Sequence, residues 1–371
     1  MTKGEIHQLV HTLSYGDAIS GEVRALRNAF SNCGYKSDIF TINTHPRYAN
    51  ETKSYLSLSP EFEGKIILHY SIGSPLNQSY LDLKRASRVL VYHNMTPAHW
   101  FYSINPRVAA DLVRGYEELP TLCLASDQLV ADSNFNAEEL RNLGFTCSVL
   151  PLPVGGVRWG EEKNTAPNMG ILSLLQKSGH LNLLHVGRIA PNKSIEDLLK
   201  VFYFLHHYIE KKSTLWLVGI DTDTEVYSFH LKRLAYELGI RDAVRFTGGC
   251  ADEEVRAFYR GSSVYLGMSE HEGFCLPILE AMSEGLPVLA FDAGAVAETM
   301  GEAGILFKEK RHAEIAELVA LVHRDVSLRR SLIDAGKIRA NAFSEANFAK
   351  SAITLIESST LSSCRRASEQ R

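Results

Sequence analysis

The sequence predicts an α/β protein with two Rossmann-like domains, and three observations lead to this fold class. The chain has 371 residues, too many for one ordinary hydrophobic core and about right for two. Its composition, 45% hydrophobic and 22% charged, is that of a folded globular protein. Short apolar runs alternate with helix-like stretches in both halves, which is typical of parallel sheets covered by helices on both faces.

The first half contains five apolar runs of strand length. Helix-like stretches lie between some of them, and GEVRALRNAFSNCG is periodic and ends at a glycine. The five runs are EIHQLVHTL, KIILHYSIG, RVLVYH, LVADS and SVLPLPV. We expect them to build the sheet of an N-terminal domain over residues 1–165.

The second half repeats the alternation, and we expect a C-terminal domain over residues 166–345. Its strand-like runs are LNLLHVGR, STLWLVGI, AVRFTGG, SVYLGMS, LPVLAFD and GILF. The seam should lie within residues 155–180, whose N-terminal side is rich in Gly, Pro, Asn and charge. We expect a C-terminal helix over 346–360 that packs back on the N-terminal domain, and a flexible tail over 361–371.

Composition also excludes several classes of function. A net charge of −4 gives no general attraction to nucleic acid. No apolar run reaches the roughly 18 residues that cross a bilayer, and the start of the chain lacks the apolar segment of a signal peptide. The six cysteines show no CxxC spacing, which fits free thiols in a reducing compartment rather than disulfides or a zinc site. We therefore expect a cytoplasmic protein without a nucleic-acid partner.

Ligands of open parallel sheets bind beyond the carboxyl ends of the strands, so residues directly after strands are the site candidates. Glu272 follows the strand-like run SVYLGMS, and Pro277 suits the first position of a helix. Backbone N–H groups over residues 273–276 could then bind hydroxyls or an anion. Glu280 lies inside that helix. Taken singly, the two acids have ordinary explanations, as a solvated loop acid and a favourable acid near a helix N-terminus.

The run LLHVGR continues into the loop GRIAPNK, which carries Arg188 and Lys193 at a strand end. A bound diphosphate needs such fixed positive charge, although two surface cations in a turn are the simpler explanation of the loop alone. Ser194 could cap the next helix, with Asp197 in the place of a capping-box acid. In the first half, Gly16 lies in a loop that enters a helix, which suits a phosphate or sugar.

The block SEHEGFCLPILEAMSEGLPVLAFDAGAVAE resembles the signature of the retaining GT-B glycosyltransferases of family 4, also called glycosyl transferases group 1. That signature reads roughly E-G-F-G-x-P-x-x-E-A, and its two acids have the spacing of Glu272 and Glu280. The sequence departs from the pattern at Cys275, where glycine is usual, and at Ala297, where proline is usual. The resemblance implies a GT-B architecture, in which two Rossmann-like domains face each other across a cleft.

The resemblance also implies a role for each matching residue. The donor sugar is held by Glu272, Gly273, Phe274, Cys275 and Leu276. The diphosphate is held by Arg188 and Lys193 of the pattern G-R-x-x-x-x-K, together with Gly16. The ribose and base are held by Glu280, Gly248 and Gly249. His93 and Glu272 are the catalytic residues, and the cleft is lined by Asn94, Ser133 and Asn134.

The implied activity is transfer of a hexose, with retention, from a nucleotide-diphosphate sugar to a hydroxyl acceptor. GDP-mannose or a UDP-sugar would be the donor, and a carbohydrate or lipid-linked molecule the acceptor, in polysaccharide or glycolipid assembly with peripheral contact at the inner face of the membrane. Protein cations can stabilise the leaving diphosphate, so we expect neither a metal nor another cofactor. Three alternatives stay open: a sugar-nucleotide epimerase, a phosphorylase on a similar scaffold, and a two-domain sugar-binding protein without catalysis.

Overall fold

The structure, a computed structural model, describes residues 3–155, 166–176 and 179–369, with side chains described up to residue 357. It divides into two units, each organised around one parallel sheet. The boundaries fall between Ala98 and His99, between Pro106 and Arg107, within the undescribed segment 156–165, and between Ala342 and Phe343. Most of the N-terminal part of the predicted seam therefore lies outside the described residues.

The first unit has a seven-stranded sheet in the order β3-β2-β1-β4-β5-β6-β7, with every neighbouring pair parallel. Its strands are β1 Ile6–Leu13, β2 Ile39–Thr44, β3 Thr52–Ser54, β4 Lys65–Tyr70, β5 Ser87–Tyr92, β6 Gln128–Ala131 and β7 Ser148–Val149. Its helices before the gap are α1 Ala18–Asn32, α2 Leu76–Asp82, α3 Pro106–Ala125 and α4 Asn134–Asn142. Strands β2 and β3 were missed because polar residues occupy much of them at the edge of the sheet.

The second unit has a six-stranded parallel sheet in the order β10-β9-β8-β11-β12-β13. All six predicted runs are strands: β8 Leu181–Val186, β9 Ser213–Val218, β10 Val244–Gly248, β11 Val264–Gly267, β12 Val288–Phe291 and β13 Ile305–Phe307. The helices are α5 Met169–Leu175, α6 Ile195–Phe204, α7 Glu225–Glu237, α8 Asp252–Gly261, α9 Leu276–Ser283, α10 Val296–Met300, α11 His312–Arg324 and α12 Val326–Ala342.

Burial explains why the central strands were readable from the sequence. Every residue of β4 and β8 is buried, as expected for parallel strands with helices on both faces. In the second unit, side chains from β8, β9 and β11 form one apolar core with α6 and α11. Each core holds its strand ends rigidly at one edge of the sheet, which is where the candidate site residues lie.

The last helix, α13, spans Glu345–Glu369 and belongs to the first unit. Phe348, Ala352 and Ile356 recur at helical spacing and are buried against Leu26 and Phe30 of α1. The helix extends beyond its predicted end because the segment after residue 357 contains neither Gly nor Pro. Neither α13 nor any other helix in the described residues is long and apolar enough to cross a membrane.

Candidate active site

The loop between β11 and α9 holds Glu272 at the carboxyl end of a central strand of the second unit. The Glu272 carbonyl accepts a hydrogen bond from the Ala295 N–H at 2.9 Å. Gly294 has φ +56°, and a Cβ there would come within 2.4 Å of the Glu272 carbonyl oxygen. The turn after β12 therefore requires glycine, and it fixes the backbone that carries Glu272.

Lys193 and Glu272 form an ion pair, which joins a predicted diphosphate ligand to a predicted sugar ligand. Lys193 Nζ lies 2.6 Å from Glu272 Oε1, and the two side chains are 19% and 9% exposed. Burial opposes both charges, but the partner's charge prevails, so the pKa of the Glu272 carboxyl is lowered and the pKa of Lys193 is raised. The Ser269 side chain also helps to lower the pKa of the Glu272 carboxyl. Both members of the pair are therefore charged at neutral pH.

Further contacts join the loop after β8 to the loop after β11. The Asn192 carbonyl accepts the Glu270 N–H at 2.9 Å, and Asn192 Nδ2 donates to the His271 carbonyl at 3.2 Å. Lys310 pairs with Glu270 at 2.7 Å and with Asp197 at 2.8 Å. These contacts hold the two loops together around the buried pair. Sequence reasoning missed Asn192 and Lys310, although Asn192 lies in the singled-out loop GRIAPNK.

The predicted capping box at the start of α6 is wrong. Ser194 has a left-handed backbone, φ 47° and ψ 51°, and the described structure shows no side-chain cap at this helix. A side-chain cap normally requires an extended residue, so the hydroxyl is not placed for it. Burial would raise the pKa of the Asp197 carboxyl, but Lys310, Lys200 and His312 lower it overall. Asp197 thus belongs to an ion cluster that braces the site.

Arg188 stands apart from the buried pair, although the sequence assigned it to the same diphosphate. Its side chain is 37% exposed, and Nη2 donates to the Thr222 carbonyl at 3.1 Å. The guanidinium carbon lies 5.8 Å from the centre of the Phe101 ring. The half-exposed setting leaves Arg188 accessible to a ligand, and its role at a diphosphate stays a prediction.

The structure explains why glycine is usual at the position that Cys275 occupies here. Cys275 immediately precedes α9 with φ 67° and ψ 55°, the left-handed region that favours glycine. The conformation costs a non-glycine residue about 1–2 kcal/mol. Burial of the thiol raises the pKa of Cys275 well above its ordinary value. The loop is further fixed by Thr299, whose hydroxyl donates to the Phe274 carbonyl, while Gly273 is half-buried and Leu276 begins α9.

Glu280 and the two predicted base-binding glycines have different surroundings. Glu280 is only 2% exposed, and its Oε2 accepts the Tyr259 hydroxyl of α8 at 2.7 Å. A ribose hydroxyl would therefore have to reach a buried carboxylate. Gly248 ends β10 with φ 72°, and its carbonyl accepts the Gly219 N–H at 3.1 Å, while Gly249 next to it is exposed.

In the first unit, the His93 ring is turned into the interior. Its side chain is 1% exposed, Nδ1 lies 3.0 Å from Asp132 Oδ2, and Nε2 lies 2.8 Å from Nδ1 of His69. Glu22 Oε2 is 3.4 Å from the same Nε2. The predicted catalytic histidine thus has protein partners on both ring nitrogens. His69 lies within β4, one residue before its end, so the rule for residues after strands does not reach it, and nothing in the sequence marks Glu22.

The charges in this buried cluster follow from the balance between burial and neighbours. Burial lowers the pKa of His69 well below its ordinary value, so this ring is neutral. Burial also opposes the charge on His93, but Asp132 and Glu22 reverse this effect and raise its pKa. Burial raises the pKa of the Glu22 carboxyl. Of the two rings, His93 is therefore the protonated, positively charged one at neutral pH.

Of the remaining candidates in the first unit, two make hydrogen bonds within the protein and two are exposed. Asn94 is buried with φ 70°, and its Nδ2 donates to Asn136 and Glu139, both at 3.0 Å. Ser133 caps α4 by accepting the Asn136 N–H at 3.1 Å. The exposed candidates of this unit are Asn134 and Gly16.

Comparison with known proteins agrees with this arrangement. Residues 173–339 match the family described as Glycosyl transferases group 1. The O-antigen chain mannosyltransferase B of Escherichia coli is 26% identical over 215 residues, which cover 58% of this chain and 53% of that protein. The match thus spans about half the length of this curated relative.

Two solved structures are similar to the chain over almost its whole length. Sucrose-phosphate synthase from Thermosynechococcus elongatus has a TM-score of 0.75 at 19% identity, covering 97% of this chain and 100% of that one. Anabaena Alr3699/HepE, in complex with UDP-glucose, has a TM-score of 0.69 at 17% identity, covering 95% and 99%. At these identities the likeness establishes the fold.

The two parallel-sheet units, with charged residues at the strand ends of the second, have the GT-B glycosyltransferase fold. The segment that matches the glycosyl transferases group 1 family, residues 173–339, makes up most of the second unit.

Proposed function

We propose that this protein transfers a hexose from a nucleotide-diphosphate sugar to a hydroxyl acceptor with retention of configuration. The observation that carries the proposal is the buried Lys193–Glu272 pair at the strand ends of the second unit, inside the segment that matches the family. It places a fixed cation beside a fixed carboxylate. A diphosphate needs the cation, and sugar hydroxyls need the carboxylate.

The donor sugar would bind at Glu272 and at the backbone of residues 273–276. Glu272 is the proposed catalytic residue, because a charge-assisted bond to a hydroxyl fixes the anomeric carbon beside the acceptor. The Lys193 ammonium has three N–H groups, and its bond to Glu272 uses one of them. Lys193 can therefore donate to a phosphate oxygen without leaving its partner, and Arg188 would supply the second positive charge.

The first unit would bind the acceptor, and Gly16 would approach the diphosphate. Because the His93 ring is enclosed, we propose that it positions Asn94 and the loop after it rather than contacting the sugar. Glu280 would bind the ribose, and Gly248 and Gly249 would lie against the base.

In the proposed reaction the bond from the anomeric carbon to the diphosphate breaks, and a bond to the acceptor oxygen forms on the same face. The departing phosphate oxygen takes the proton of the acceptor hydroxyl, so no separate base is needed. Arg188 and Lys193 stabilise the charge that gathers on the leaving group.

A thermal-shift screen against UDP-glucose, UDP-N-acetylglucosamine and GDP-mannose tests the donor. GDP-mannose is proposed on the relative named a mannosyltransferase, and a UDP-sugar on the Anabaena structure with UDP-glucose. A ligand at 100 times its Kd should stabilise the fold by about 2.7 kcal/mol. No thermal shift with any nucleotide sugar would contradict the proposal.

The proposed setting is the cytoplasm, with peripheral contact at the inner face of the membrane and a carbohydrate or lipid-linked acceptor.

Arg188→Ala is expected to lower kcat/KM by about 10- to 100-fold, the effect of one lost hydrogen bond to a charged group. The unfolding free energy should stay within about 0.5 kcal/mol of the parent, because this side chain is half-exposed. Steady-state kinetics and urea denaturation measure the two quantities. Arg311→Ala, at an exposed arginine of the same unit, is the matched control. Equal kcat/KM in parent and Arg188→Ala would remove Arg188 from the proposed site.

Transfer is expected to continue when EDTA is present in excess, because Arg188 and Lys193 take the place of a metal at the diphosphate. Initial rates measured directly before and after addition of the chelator check this. Loss of activity that Mg²⁺ or Mn²⁺ restores would show that a metal stabilises the leaving group.

A further inference from the structure

A chain of polar side chains crosses the interior of the first unit, and Gln8 sets its direction. Gln8 Nε2 donates to the Val23 carbonyl at 3.0 Å, so its Oε1 faces Nε2 of His69 at 2.9 Å. An amide oxygen only accepts, and His69 Nε2 must therefore carry the hydrogen. The other nitrogen of this neutral ring, Nδ1, presents a lone pair to His93 at 2.8 Å.

Asp132 lies at the other end of this row of polar side chains and fixes the position of the hydrogen on His93. Its Nδ1 lies 3.0 Å from Asp132 Oδ2, and an ionised carboxylate only accepts. With its hydrogen on Nδ1, a neutral His93 would point a second lone pair at His69. Two lone pairs at 2.8 Å repel each other, so either a proton or a metal ion lies between the two nitrogens.

Glu22 supplies a third potential metal-binding atom beside the two histidine nitrogens. Its Oε2 lies 3.4 Å from His93 Nε2 and 3.8 Å from His69 Nδ1, and the side chains of Glu22, His69 and His93 are at most 1% exposed. Within the described residues, neither Glu22 carboxylate oxygen takes part in a hydrogen bond. A buried carboxyl group without hydrogen-bond donors is either protonated or placed beside a cation.

The distances among these three atoms fit a small divalent ion. A point equidistant from the three lies about 2.0 Å from each, the length of bonds from zinc to imidazole nitrogen and carboxylate oxygen. Tetrahedral zinc would hold the two ring centres about 5.2 Å apart. They are 5.1 Å apart now.

The present geometry is that of the proton-bridged form. The ring centres are 5.1 Å apart, which is the largest separation that two rings can have when their nitrogens are 2.8 Å apart. Both nitrogens therefore lie on the line that joins the two ring centres. Zinc binding would require both rings to tilt and the N–N distance to lengthen by about 0.5 Å, to the distance between two ligand atoms of a tetrahedral zinc site.

We propose that Glu22, His69 and His93 form a binding site for a divalent transition ion, with Zn²⁺ the best match, in the interior of the first unit. The donor set is two imidazole nitrogens and one carboxylate oxygen, as in known three-ligand zinc sites. Gln8 and Asp132 hold the outer nitrogens of the two rings, an arrangement that orients metal-binding histidines. The ion would join α1 to the carboxyl ends of β4 and β5.

The three proposed metal ligands lie in the first unit, whereas Arg188 and Lys193, the proposed cations of the donor site, lie in the second. Mg²⁺ prefers an all-oxygen shell and should not compete for two imidazoles.

The test is uptake of Zn²⁺ by the full-length chain during expression in zinc-supplemented medium and during refolding with Zn²⁺, measured by elemental analysis after gel filtration. One ion per chain is expected, and X-ray absorption of the zinc-loaded protein should show two imidazole nitrogens and one oxygen at about 2.0–2.1 Å. No uptake, or a ligand shell without imidazole, would overturn the proposal and leave a proton as the only cation at this contact.

Single substitutions test which residues bind the ion. Glu22→Gln and His69→Gln should each lower zinc affinity at least tenfold, and Asp132→Asn, which alters only the outer hydrogen bond, about tenfold. His207→Gln is the matched control, because its ring is exposed on the second unit and should bind only adventitious zinc. Unchanged affinity in both Glu22→Gln and His69→Gln would overturn the assignment. If those variants do not fold, the absorption spectrum of the parent decides by itself.

Discussion

Lys193→Ala is expected to lower kcat/KM by about 10²–10³-fold, the effect of losing one electrostatic donor at a developing charge. It should also lower the unfolding free energy by about 3–5 kcal/mol, because Glu272 would keep a buried charge without its partner at 2.6 Å. The first effect is measured by steady-state kinetics at a temperature where the variant is folded, and the second by urea denaturation.

A double variant separates the two effects of this substitution. Lys193→Met with Glu272→Gln removes both charges, so the unfolding free energy should return towards that of the parent while transfer stays low. Lys200→Ala is the matched control, because this lysine is 42% exposed and pairs with Asp197. Transfer at the parental rate in the double variant would show that neither charge acts on the donor.

Glu272→Gln should reduce transfer by about 10²–10³-fold and leave the affinity for the free nucleoside diphosphate almost unchanged. The free nucleotide has no sugar to lose at that position. Glu280→Gln should instead weaken the free nucleotide and the full donor alike, because its proposed partner is the ribose. Both substitutions nearly preserve volume, although Glu272→Gln leaves Lys193 without its ionised partner and should lower the unfolding free energy. Calorimetry with the nucleotide alone, beside kinetics with the donor, measures both quantities.

The buried setting of Glu280 calls for its own control. Tyr259→Phe removes the hydroxyl that donates to Glu280 and keeps the carboxylate. If it weakens nucleotide binding as much as Glu280→Gln does, the acid acts through packing and not at the ribose. A Glu272→Gln enzyme that transfers sugar at the parental rate would return Glu272 to the class of structural acids.

Much of the fold could be predicted from the sequence, and the exceptions have physical reasons. The six strands of the second unit are predominantly apolar, and the central strands β8 and β11 are buried along their whole length, as expected for a parallel sheet covered on both faces. Strands β2 and β3 lie towards one edge, where exposed positions dilute the apolar signal. The cap at Ser194 was wrong because side-chain capping depends on backbone angles that a sequence motif does not reveal.

The candidate site was predictable in its residue types and chain positions but not in its contacts. The strand-end rule and the family signature pointed to Lys193, Glu272 and Cys275. That Lys193 and Glu272 are each other's counterion was not foreseen, because they are 79 residues apart along the chain. The left-handed backbone at Cys275 accounts for the glycine of the family pattern, which sequence reasoning noted only as a departure.

The sequence by itself determined the α/β class, the alternation of elements and the family signature, because these follow from local patterns of polarity and from fixed spacing. Only the tertiary structure decided which charges neutralise each other and which polar groups are buried together. Lys193 meets Glu272, and His69 meets His93, through strands that are neighbours in a sheet, and helix α1 brings Glu22 to the two histidines. Burial then sets their charge states, since the energy of a charge depends on the surrounding medium and on its partners.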